Sequence, residues 1–322
     1  MAEILITGAT GFVGCHFAEA LARRGVQARA LVRPTSDLSV LDRYGVERVA
    51  GSLHDPGTLA RAMDGVDVVA HLAGATRALR RETFHDVNAT GTRRLVEAME
   101  SAGVGRLVYL SSLAAAGPAT GEPVGPADEP RPLTAYGRSK LEGERHALGS
   151  ESVRTVVLRP PAVYGPRDRE LLPFFRLARR GLLPVIGGLE RRIQMVHVRD
   201  LAEALVRAAR TPTASGVLHI AEPASYHWAE VLDHMATAVG RAGARVRVPA
   251  RVLMMAAGGT QVAAFLSRRP AVFDREKALE LLADGWLCET EGASRELGFV
   301  AAVPLPNGLE ETARWYRAHG WL

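Results

Sequence analysis

The start of the chain contains the feature that most restricts how it can fold. Residues 4–6 form an apolar run with the character of a buried strand, and a glycine-rich turn follows at once. An apolar helical pattern then begins at Phe12 and has a plausible stop at residues 23–25. The glycines of the turn are spaced three apart, at Gly8, Gly11 and Gly14. Strand, glycine turn and helix in this order predict the phosphate-binding start of a Rossmann unit.

Each glycine of the turn has its own physical reason. Gly8 allows the tight turn, Gly11 lets the backbone approach a pyrophosphate, and Gly14 lets the helix pack close to the strand. The free N–H groups and the positive dipole end of the helix then face the phosphates. The spacing G-x-x-G-x-x-G is not the commoner G-x-G-x-x-G. Its place between a strand and a helix nevertheless favours a dinucleotide site over an ordinary turn.

Apolar runs alternate with helical patterns through the first half of the chain. A long amphipathic helix is predicted at 82–101, and further strands are predicted at residues 27–32, 47–50, 66–72, 107–110 and 155–158. After residue 166 the alternation weakens, with a helix at 170–180, a strand at 194–198 and a helix at 200–210. We therefore predict an α/β fold, a Rossmann doubly wound parallel sheet with a smaller, interwoven C-terminal substrate lobe.

No clean linker separates these two parts. Residues 1–166 are predicted to form mainly the dinucleotide-binding domain and residues 167–322 mainly the substrate-binding lobe, with a segment at about 194–220 returning to the Rossmann domain. A loop rich in glycine and proline at 117–134 is a candidate rim of the substrate pocket. The apolar segment 251–268 is too short to span a membrane, which takes about 20 apolar residues. A buried or pocket-covering helix is predicted there, with peripheral membrane contact as the alternative.

The charge pattern and the two cysteines limit which partners and which cellular compartment are expected. The net charge is +5, but the basic residues are scattered without interleaved aromatics, so nucleic acid is not an expected partner. No basic segment precedes an apolar stretch, so no signal peptide is expected. Cys15 and Cys288 have neither metal spacing nor the look of a disulfide framework. We expect a cytoplasmic protein with a small-molecule substrate, no integral membrane segment and no metal.

Lysine is almost absent from this chain. Of the 40 lysine and arginine residues, only Lys140 and Lys277 are lysine. A retained lysine suggests a site that needs a compact ammonium and where a guanidinium would fail. Lys277 is attributed to chance, whereas Lys140 belongs to a chemically informative pattern.

That pattern joins Lys140 to Tyr136 and to two serines. Tyr136 and Lys140 are four residues apart, so they would share one face of a helix. A nearby ammonium favours the phenolate and lowers the tyrosine pKa from its ordinary value of about 10. Ser111 and Ser112 end the strand at 107–110, at the edge where open α/β sheets bind ligands. Together these groups form a proton-transfer device for an alcohol or ketone beside a nicotinamide ring.

Seven segments, in order, carry a resemblance to a known family. They are T-G-A-T-G-F-V-G at 7–14, H-L-A-G at 71–74, N-A-T-G-T at 88–92, Y-L-S-S at 109–112, Y-G-R-S-K at 136–140, R-P-P-A-V-Y-G-P at 159–166 and V-H-V-R-D-L-A at 196–202. With them the chain resembles the extended short-chain dehydrogenase/reductase superfamily, which includes the NAD(P)-dependent epimerase/dehydratase family. The resemblance implies that Tyr136 is the general acid/base and that Lys140 binds the nicotinamide ribose and lowers the Tyr136 pKa. It further implies that Ser112, rather than Ser111, positions the reacting oxygen, and that the protein is a homodimer.

The same resemblance implies a set of residues around the dinucleotide. Asn88 would hold a helix on the cofactor side, and Pro160 and Val163 would line the nicotinamide. Ser52 stands where the family often has an acidic residue touching the adenine. The complete set of expected cofactor contacts is Gly8, Thr10, Gly11, Phe12, Val13, Gly14, Arg33, Ser52, Leu53, Leu72, Ala73, Gly74, Asn88, Tyr136, Lys140, Pro160 and Val163.

The end of the second strand bears on the choice of cofactor. An acidic residue there would bind the ribose 2′-OH and repel a 2′-phosphate. This chain has Arg33 instead, with no acid until Asp37, and a guanidinium can pair with a phosphate bidentately. We predict NADP over NAD, the alternative being that Arg33 is only a solvated strand-end residue.

Three functions fit these residues. The first is an oxidoreductase that interconverts a ketone or aldehyde and an alcohol on a largely apolar small molecule. The apolar segment 252–266 favours this function. So does a resemblance to dihydroflavonol-reductase-like and hydroxysteroid-dehydrogenase-like relatives. The second is a nucleotide-sugar epimerase or dehydratase with retained NAD, but Ala162 and Ile193 replace the asparagine and arginine that such relatives often have. The third is a non-catalytic dinucleotide sensor or assembly factor, which typically lacks the tyrosine or the lysine.

Overall fold

A central parallel sheet organises the molecule. The computed structural model describes residues 3–187, 191–268, 271 and 273–322, without the side chains of Val262 and Leu266. The strands are β1 (Ile4–Thr7), β2 (Ala28–Val32), β3 (Glu47–Ala50), β4 (Val68–His71), β5 (Arg106–Leu110), β6 (Arg154–Arg159), β7 (Ala162–Tyr164), β8 (Leu182–Ile186), β9 (Arg192–Ile193), β10 (Met195–His197), β11 (Gly216–His219), β12 (Tyr226–His227), β13 (Ala244–Val248) and β14 (Gly285–Trp286). Seven of them form the large sheet in the order β11-β6-β5-β4-β1-β2-β3, and every pairing is parallel.

Helices connect the strands, and those of the first half of the chain, together with α7, cover the large sheet. They are α1 (Phe12–Ala22), α2 (Pro56–Ala62), α3 (Arg81–Phe84), α4 (Gly91–Ala102), α5 (Ala135–Leu148), α6 (Leu172–Arg179), α7 (Val198–Arg210), α8 (Trp228–Val239), α9 (Ala250–Ser267), α10 (Arg275–Leu282), α11 (Glu291–Leu297) and α12 (Leu305–Ala318). A π-helical segment, His85–Thr90, joins α3 to α4. The single helix predicted at 82–101 is therefore interrupted by wider turns, which the apolar periodicity does not reveal.

The central strands are apolar because both faces of the sheet are covered. Ile4 and Ile6 of β1 belong to a core with α1 and α7, whereas Leu5 between them belongs to a separate core with α2 and α4. This alternation follows from the two-residue period of a strand. The predicted α/β fold with a doubly wound parallel sheet is confirmed.

The second half of the chain builds a third core and also returns to the large sheet. Aromatic and aliphatic side chains of α6, α8 and α12 pack together, among them Phe175, Trp228 and Tyr316. β11 adds to the edge of the large sheet beside β6, with Leu218 opposite Leu158. The strand predicted at 194–198 is β10, which pairs with β7 outside the large sheet.

The predicted helix at 251–268 is present as α9, but the prediction that it is buried is wrong for much of its surface. Its side chains include the two most exposed large hydrophobic residues among the described ones, Met255 at 69% and Phe265 at 77%. In the part of the chain that the structure covers, no helix is long and apolar enough to cross a membrane.

Candidate active site

The glycine turn has a backbone that only glycine fits. Gly8 has a φ of +77°, and a Cβ on it would come within 2.5 Å of the Ala73 backbone nitrogen. A Cβ on Gly14 would overlap the Gly8 carbonyl oxygen. The Gly11 N–H donates to the Gly8 oxygen at 3.0 Å, which closes the turn. The first residues of α1 therefore lie directly against the end of β1.

The N-terminus of α1 suits an anion. Gly11 precedes the helix without a side-chain cap, and the first turn contains no acidic residue. The first N–H groups of a helix have no partner within it, and they add to the positive dipole end. A dinucleotide pyrophosphate fits this chemistry, because a helix N-terminus with free N–H groups and no nearby acid favours a phosphate anion.

The other predicted cofactor residues lie at the carboxyl edge of the sheet. The Leu72 and Ala73 N–H groups donate to the Thr7 carbonyl at 3.0 Å and the Thr7 hydroxyl at 3.3 Å, which joins the end of β4 to β1. A Cβ on Gly74 would be 3.1 Å from Asn88 Oδ1 and 3.8 Å from Lys140 Nζ. The rest follow or begin neighbouring elements: Thr10, Phe12 and Val13 at the start of α1, Arg33 after β2, Ser52 and Leu53 after β3, Pro160 after β6, and Val163 in β7.

Asn88 connects the cofactor side to the catalytic side. It lies in the π-helical segment and is fully buried. Its side chain accepts from the Ala75 N–H at 2.8 Å and donates to the Ala75 carbonyl at 3.0 Å and to Ser139 Oγ at 2.9 Å. Asn88 therefore fixes the loop after β4 against α5, the helix that carries Tyr136 and Lys140. Wider helical turns of this kind are frequent at functional sites.

Lys140 is buried beneath the end of β5. Its ammonium donates to the Leu110 carbonyl at 2.7 Å and lies 4.3 Å above the centre of the Tyr109 ring. Burial lowers the pKa of Lys140 to about 7, and the carboxylate of Glu144 opposes this change. The ammonium can therefore lose or gain a proton near neutral pH.

Tyr136 lies one helical turn before Lys140, half-buried against the edge of the Phe84 ring. Burial raises the pKa of Tyr136 to about 12, while the Ser112 hydroxyl beside it opposes the rise. This differs from the expectation that Lys140 lowers the pKa, because the Lys140 ammonium points to Leu110 instead. The phenol therefore holds its proton at neutral pH in this structure.

The two serines at the end of β5 have different surroundings. Ser111 is buried and donates to the Glu144 carboxylate, which also receives Arg159 Nε at 2.9 Å and Nη2 at 2.5 Å. Ser112 is half-buried, accepts from the Ala114 N–H at 3.1 Å and lies beside Tyr136. Ser111 is therefore engaged by the buried Glu144 carboxylate, whereas Ser112 lies next to Tyr136.

Helix α10 contributes charged side chains near Tyr136 that were not predicted from the sequence. The Glu276 carboxylate accepts from the Ala135 N–H at 2.9 Å, at the first residue of α5. Lys277 Nζ lies 3.2 Å from Glu280 and 3.9 Å from Glu170. The charges of Glu280 and Glu170 raise the pKa of Tyr136 and that of Lys277 lowers it, so all three are close enough to act on the phenol. The scarcity of lysine already singles out Lys277, and its attribution to chance overlooks this position.

The loop at 117–134 is attached to the same late part of the chain. The Ala119 N–H donates to the Gly285 carbonyl and the Val124 N–H to the Leu287 carbonyl, both at 3.0 Å. The Glu289 N–H returns a bond to Val124 at 3.1 Å. The loop is therefore fixed to the segment that directly follows α10.

Two other buried polar residues, His71 and His197, have the surroundings of structural side chains. The His71 ring lies between the hydroxyls of Thr7 and Thr92, at 2.6 and 3.1 Å, and burial lowers its pKa to about 3. His197 is also buried, which lowers its pKa to about 3. Among the described residues, no group of three His, Cys, Asp or Glu side chains is arranged to hold a metal ion.

Comparison with known protein families identifies the family of this chain. The family model of the NAD-dependent epimerase/dehydratase family matches residues 4–221. The chain belongs to this family. The resemblance to extended short-chain dehydrogenases/reductases is thereby confirmed, and reductases among the relatives make the protein an NAD(P)-dependent oxidoreductase of that type.

Proteins similar to this chain over nearly its full length include a reductase and a protein solved with a nucleotide sugar. Ceramide reductase of Caulobacter vibrioides is 35% identical over 322 residues, covering 99% of this chain and 96% of that protein. Sterol demethylase protein B of Methylococcus capsulatus is 29% identical over 338 residues, covering 99% of each. The solved structure of MoeE5 with UDP-glucuronic acid and NAD has a TM-score of 0.77 at 27% identity, covering 99% of this chain and 100% of that one.

Proposed function

We propose that the protein is an NADP-dependent oxidoreductase that interconverts a ketone or aldehyde and an alcohol on a largely apolar small molecule. The observation that carries the proposal is the convergence of Ser112, Tyr136 and Lys140 at the carboxyl edge of the sheet. This edge also holds the glycine turn and the uncapped N-terminus of α1. In open α/β sheets, this edge is where ligands bind.

The proposed mechanism assigns one role to each side chain. The bound nicotinamide would supply or accept the hydride. During reduction, the Tyr136 hydroxyl gives its proton to the substrate oxygen as the carbonyl carbon receives the hydride. The Ser112 hydroxyl donates a hydrogen bond to that oxygen and orients it. Lys140, whose pKa burial lowers to about 7, would bind the ribose of the nicotinamide nucleotide through its ammonium.

Two observations support an apolar substrate: the names of the relatives, and two positions at which this chain lacks the polar residues that nucleotide-sugar enzymes often have. The names of the two full-length relatives refer to ceramide and sterol chemistry, both apolar lipids. Ile193 is buried in β9 and Ala162 has no polar side chain, so neither supplies a group for a nucleotide diphosphate. The ring of Phe84 against Tyr136 adds an apolar surface beside the reacting oxygen.

A nucleotide-sugar epimerase is the second candidate, because MoeE5 was solved with UDP-glucuronic acid and NAD. The two reactions differ in the fate of the cofactor. A ketone reductase consumes one NADPH for each alcohol formed, whereas an epimerase returns the hydride to the sugar.

One experiment distinguishes these candidates. The protein is incubated with NADPH and a panel of hydrophobic ketones, and separately with UDP- and dTDP-sugars. Absorbance at the nicotinamide band and chromatography of the sugars are followed. We expect stoichiometric NADPH consumption with at least one ketone. Sugar interconversion without net cofactor change would overturn the proposal in favour of the epimerase.

The proposed preference for NADP depends on Arg33. This side chain is exposed and directly follows β2, at the edge that holds the glycine turn. In Arg33→Ala, we expect the Kd for NADPH to rise by about 10- to 100-fold, because a charge-assisted pair with the 2′-phosphate is lost. The Kd for NADH should change by less than about twofold, since NADH lacks that phosphate.

Calorimetric titration of both cofactors measures this effect. Arg43→Ala is the matched control, because Arg43 is also exposed and lies ten residues further along the chain. Equal affinity of the unmodified protein for NADPH and NADH would show that Arg33 does not select the cofactor.

A further inference from the structure

Helix α9 presents an apolar surface to solvent along its whole length. The exposed residues Val252, Met255, Ala256, Gly259 and Ala263 recur at spacings of three and four, so they form one stripe. The opposite side packs inward through Leu253 and Ala257 against Ile186 and Ala278. The helix also exposes Thr260 and Gln261, but an apolar stripe of this length in solvent is typical of an interaction surface. We call the stripe, together with exposed Phe265, the α9 face.

The surroundings of the α9 face are basic. Residues 234–273 contain six arginines and no aspartate or glutamate, although the chain has 35 acidic residues in total. Arg251 and Arg268 lie exposed at the two ends of the helix. On the neighbouring strand β13, Arg247 is exposed, whereas exposed Arg245 pairs with the Asp233 carboxylate of α8. The apolar stripe is therefore bordered by positive charge.

This charge distribution favours one class of partner. A second copy in a twofold dimer would place the same patch against itself, so the two basic borders would repel each other. An anionic membrane surface would instead attract the arginines and receive the apolar side chains at the level of the headgroups. We propose that the α9 face docks the protein on an anionic lipid bilayer.

The α9 face is also connected to the candidate active site. The Thr260 hydroxyl donates to the Phe273 carbonyl, which holds α9 to the segment that enters α10. In the first turn of α10, Glu276 accepts from the Ala135 N–H, next to Tyr136. Docking through α9 would therefore place the mouth of the site near the bilayer. This deepens the proposed function, on which it rests, by naming a membrane-resident lipid ketone or alcohol as the substrate class.

Vesicle binding tests the proposal without using turnover. The full chain is sedimented with phosphatidylcholine vesicles that either lack or contain phosphatidylglycerol. We expect binding only when phosphatidylglycerol is present and release at high salt, because charge screening weakens the contribution of the arginines. Met255→Glu should lower the vesicle partition coefficient by about tenfold, since a carboxylate replaces an apolar anchor on the anionic surface.

Val300→Glu is the matched control. Val300 is also an exposed apolar residue, at 59%, but it lies between α11 and α12 and outside the α9 face. Its partition coefficient should stay within about twofold of that of the unmodified protein. Both variants change exposed side chains, and equal melting temperatures would show that they are folded.

Two results would overturn membrane docking. The first is no binding to vesicles containing phosphatidylglycerol, or equal binding by Met255→Glu. The second is a dimer in light scattering that Met255→Glu dissociates, which would identify a second copy as the partner. Turnover of a short-chain, water-soluble ketone is measured in parallel and should be unchanged in Met255→Glu. Vesicle binding without any ketone turnover would show that the proposed reaction fails while the docking surface stands.

Discussion

Replacing Tyr136 with phenylalanine is expected to lower kcat by about two to four orders of magnitude, the usual contribution of a positioned general acid. The substitution removes the hydroxyl that lies beside Ser112 and keeps the ring that packs on Phe84. Cofactor binding should therefore change little, within about threefold in Kd, because the glycine turn and Lys140 are untouched.

Steady-state reduction of a ketone from the panel, together with calorimetric titration of NADPH, measures both parts of this prediction. Tyr226→Phe is the matched control. Tyr226 is also half-buried and loses a hydrogen bond, at 2.6 Å to Glu222, but it lies on β12, among the small strands of the second half of the chain. Its kcat should stay near that of the unmodified protein. A Tyr136→Phe protein with near-normal kcat would mean that another group carries the proton.

The second large effect is expected for Glu144, which anchors the buried network beneath the site. Its carboxylate forms an ion pair with Arg159 and accepts a hydrogen bond from the Ser111 hydroxyl. All three residues are almost fully buried. Glu144→Leu leaves the Arg159 guanidinium as an uncompensated buried charge. Breaking a buried pair in this way costs about 3–5 kcal/mol of unfolding free energy.

Chemical denaturation, with far-UV circular dichroism as the signal, measures this loss. Glu97→Leu is the matched control, because Glu97 pairs with Arg93 on the exposed surface of α4 and an exposed pair contributes about 0.3–0.5 kcal/mol. The double variant Glu144→Leu with Arg159→Leu should recover much of the loss, since it removes the stranded charge as well. If Glu144→Leu alone were as stable as the unmodified protein, the buried pair would have no such role.

The parts of the fold that local chemistry determines were accessible from the sequence. The glycine turn could be predicted because Gly8 and Gly14 occupy positions where any Cβ would overlap the backbone. β3 lies at the predicted residues 47–50, since an apolar or alternating run bounded by turn residues specifies a strand on its own. The position of Tyr136 one turn before Lys140 on α5 follows from helical spacing alone.

Features that depend on contacts between distant parts of the chain could not be predicted from the sequence. Lys277 belongs to α10, far along the chain from Tyr136, and only the packing of α10 over the start of α5 brings the two together. The π-helical turns around Asn88 leave no trace in apolar periodicity. For α9, the apolar composition predicted burial, yet which side of an apolar helix is covered depends on what packs against it.

The attachment of α5 to the late part of the chain sets an order of events during synthesis on the ribosome. The glycine turn and strands β1 to β6 can emerge and pair while the rest of the chain is still being translated. The carboxylate that holds the first residue of α5 appears 141 residues later, and the partners of the 117–134 loop follow it. A nascent chain would thus contain its glycine turn well before the carboxylate that holds the start of α5 has been synthesised.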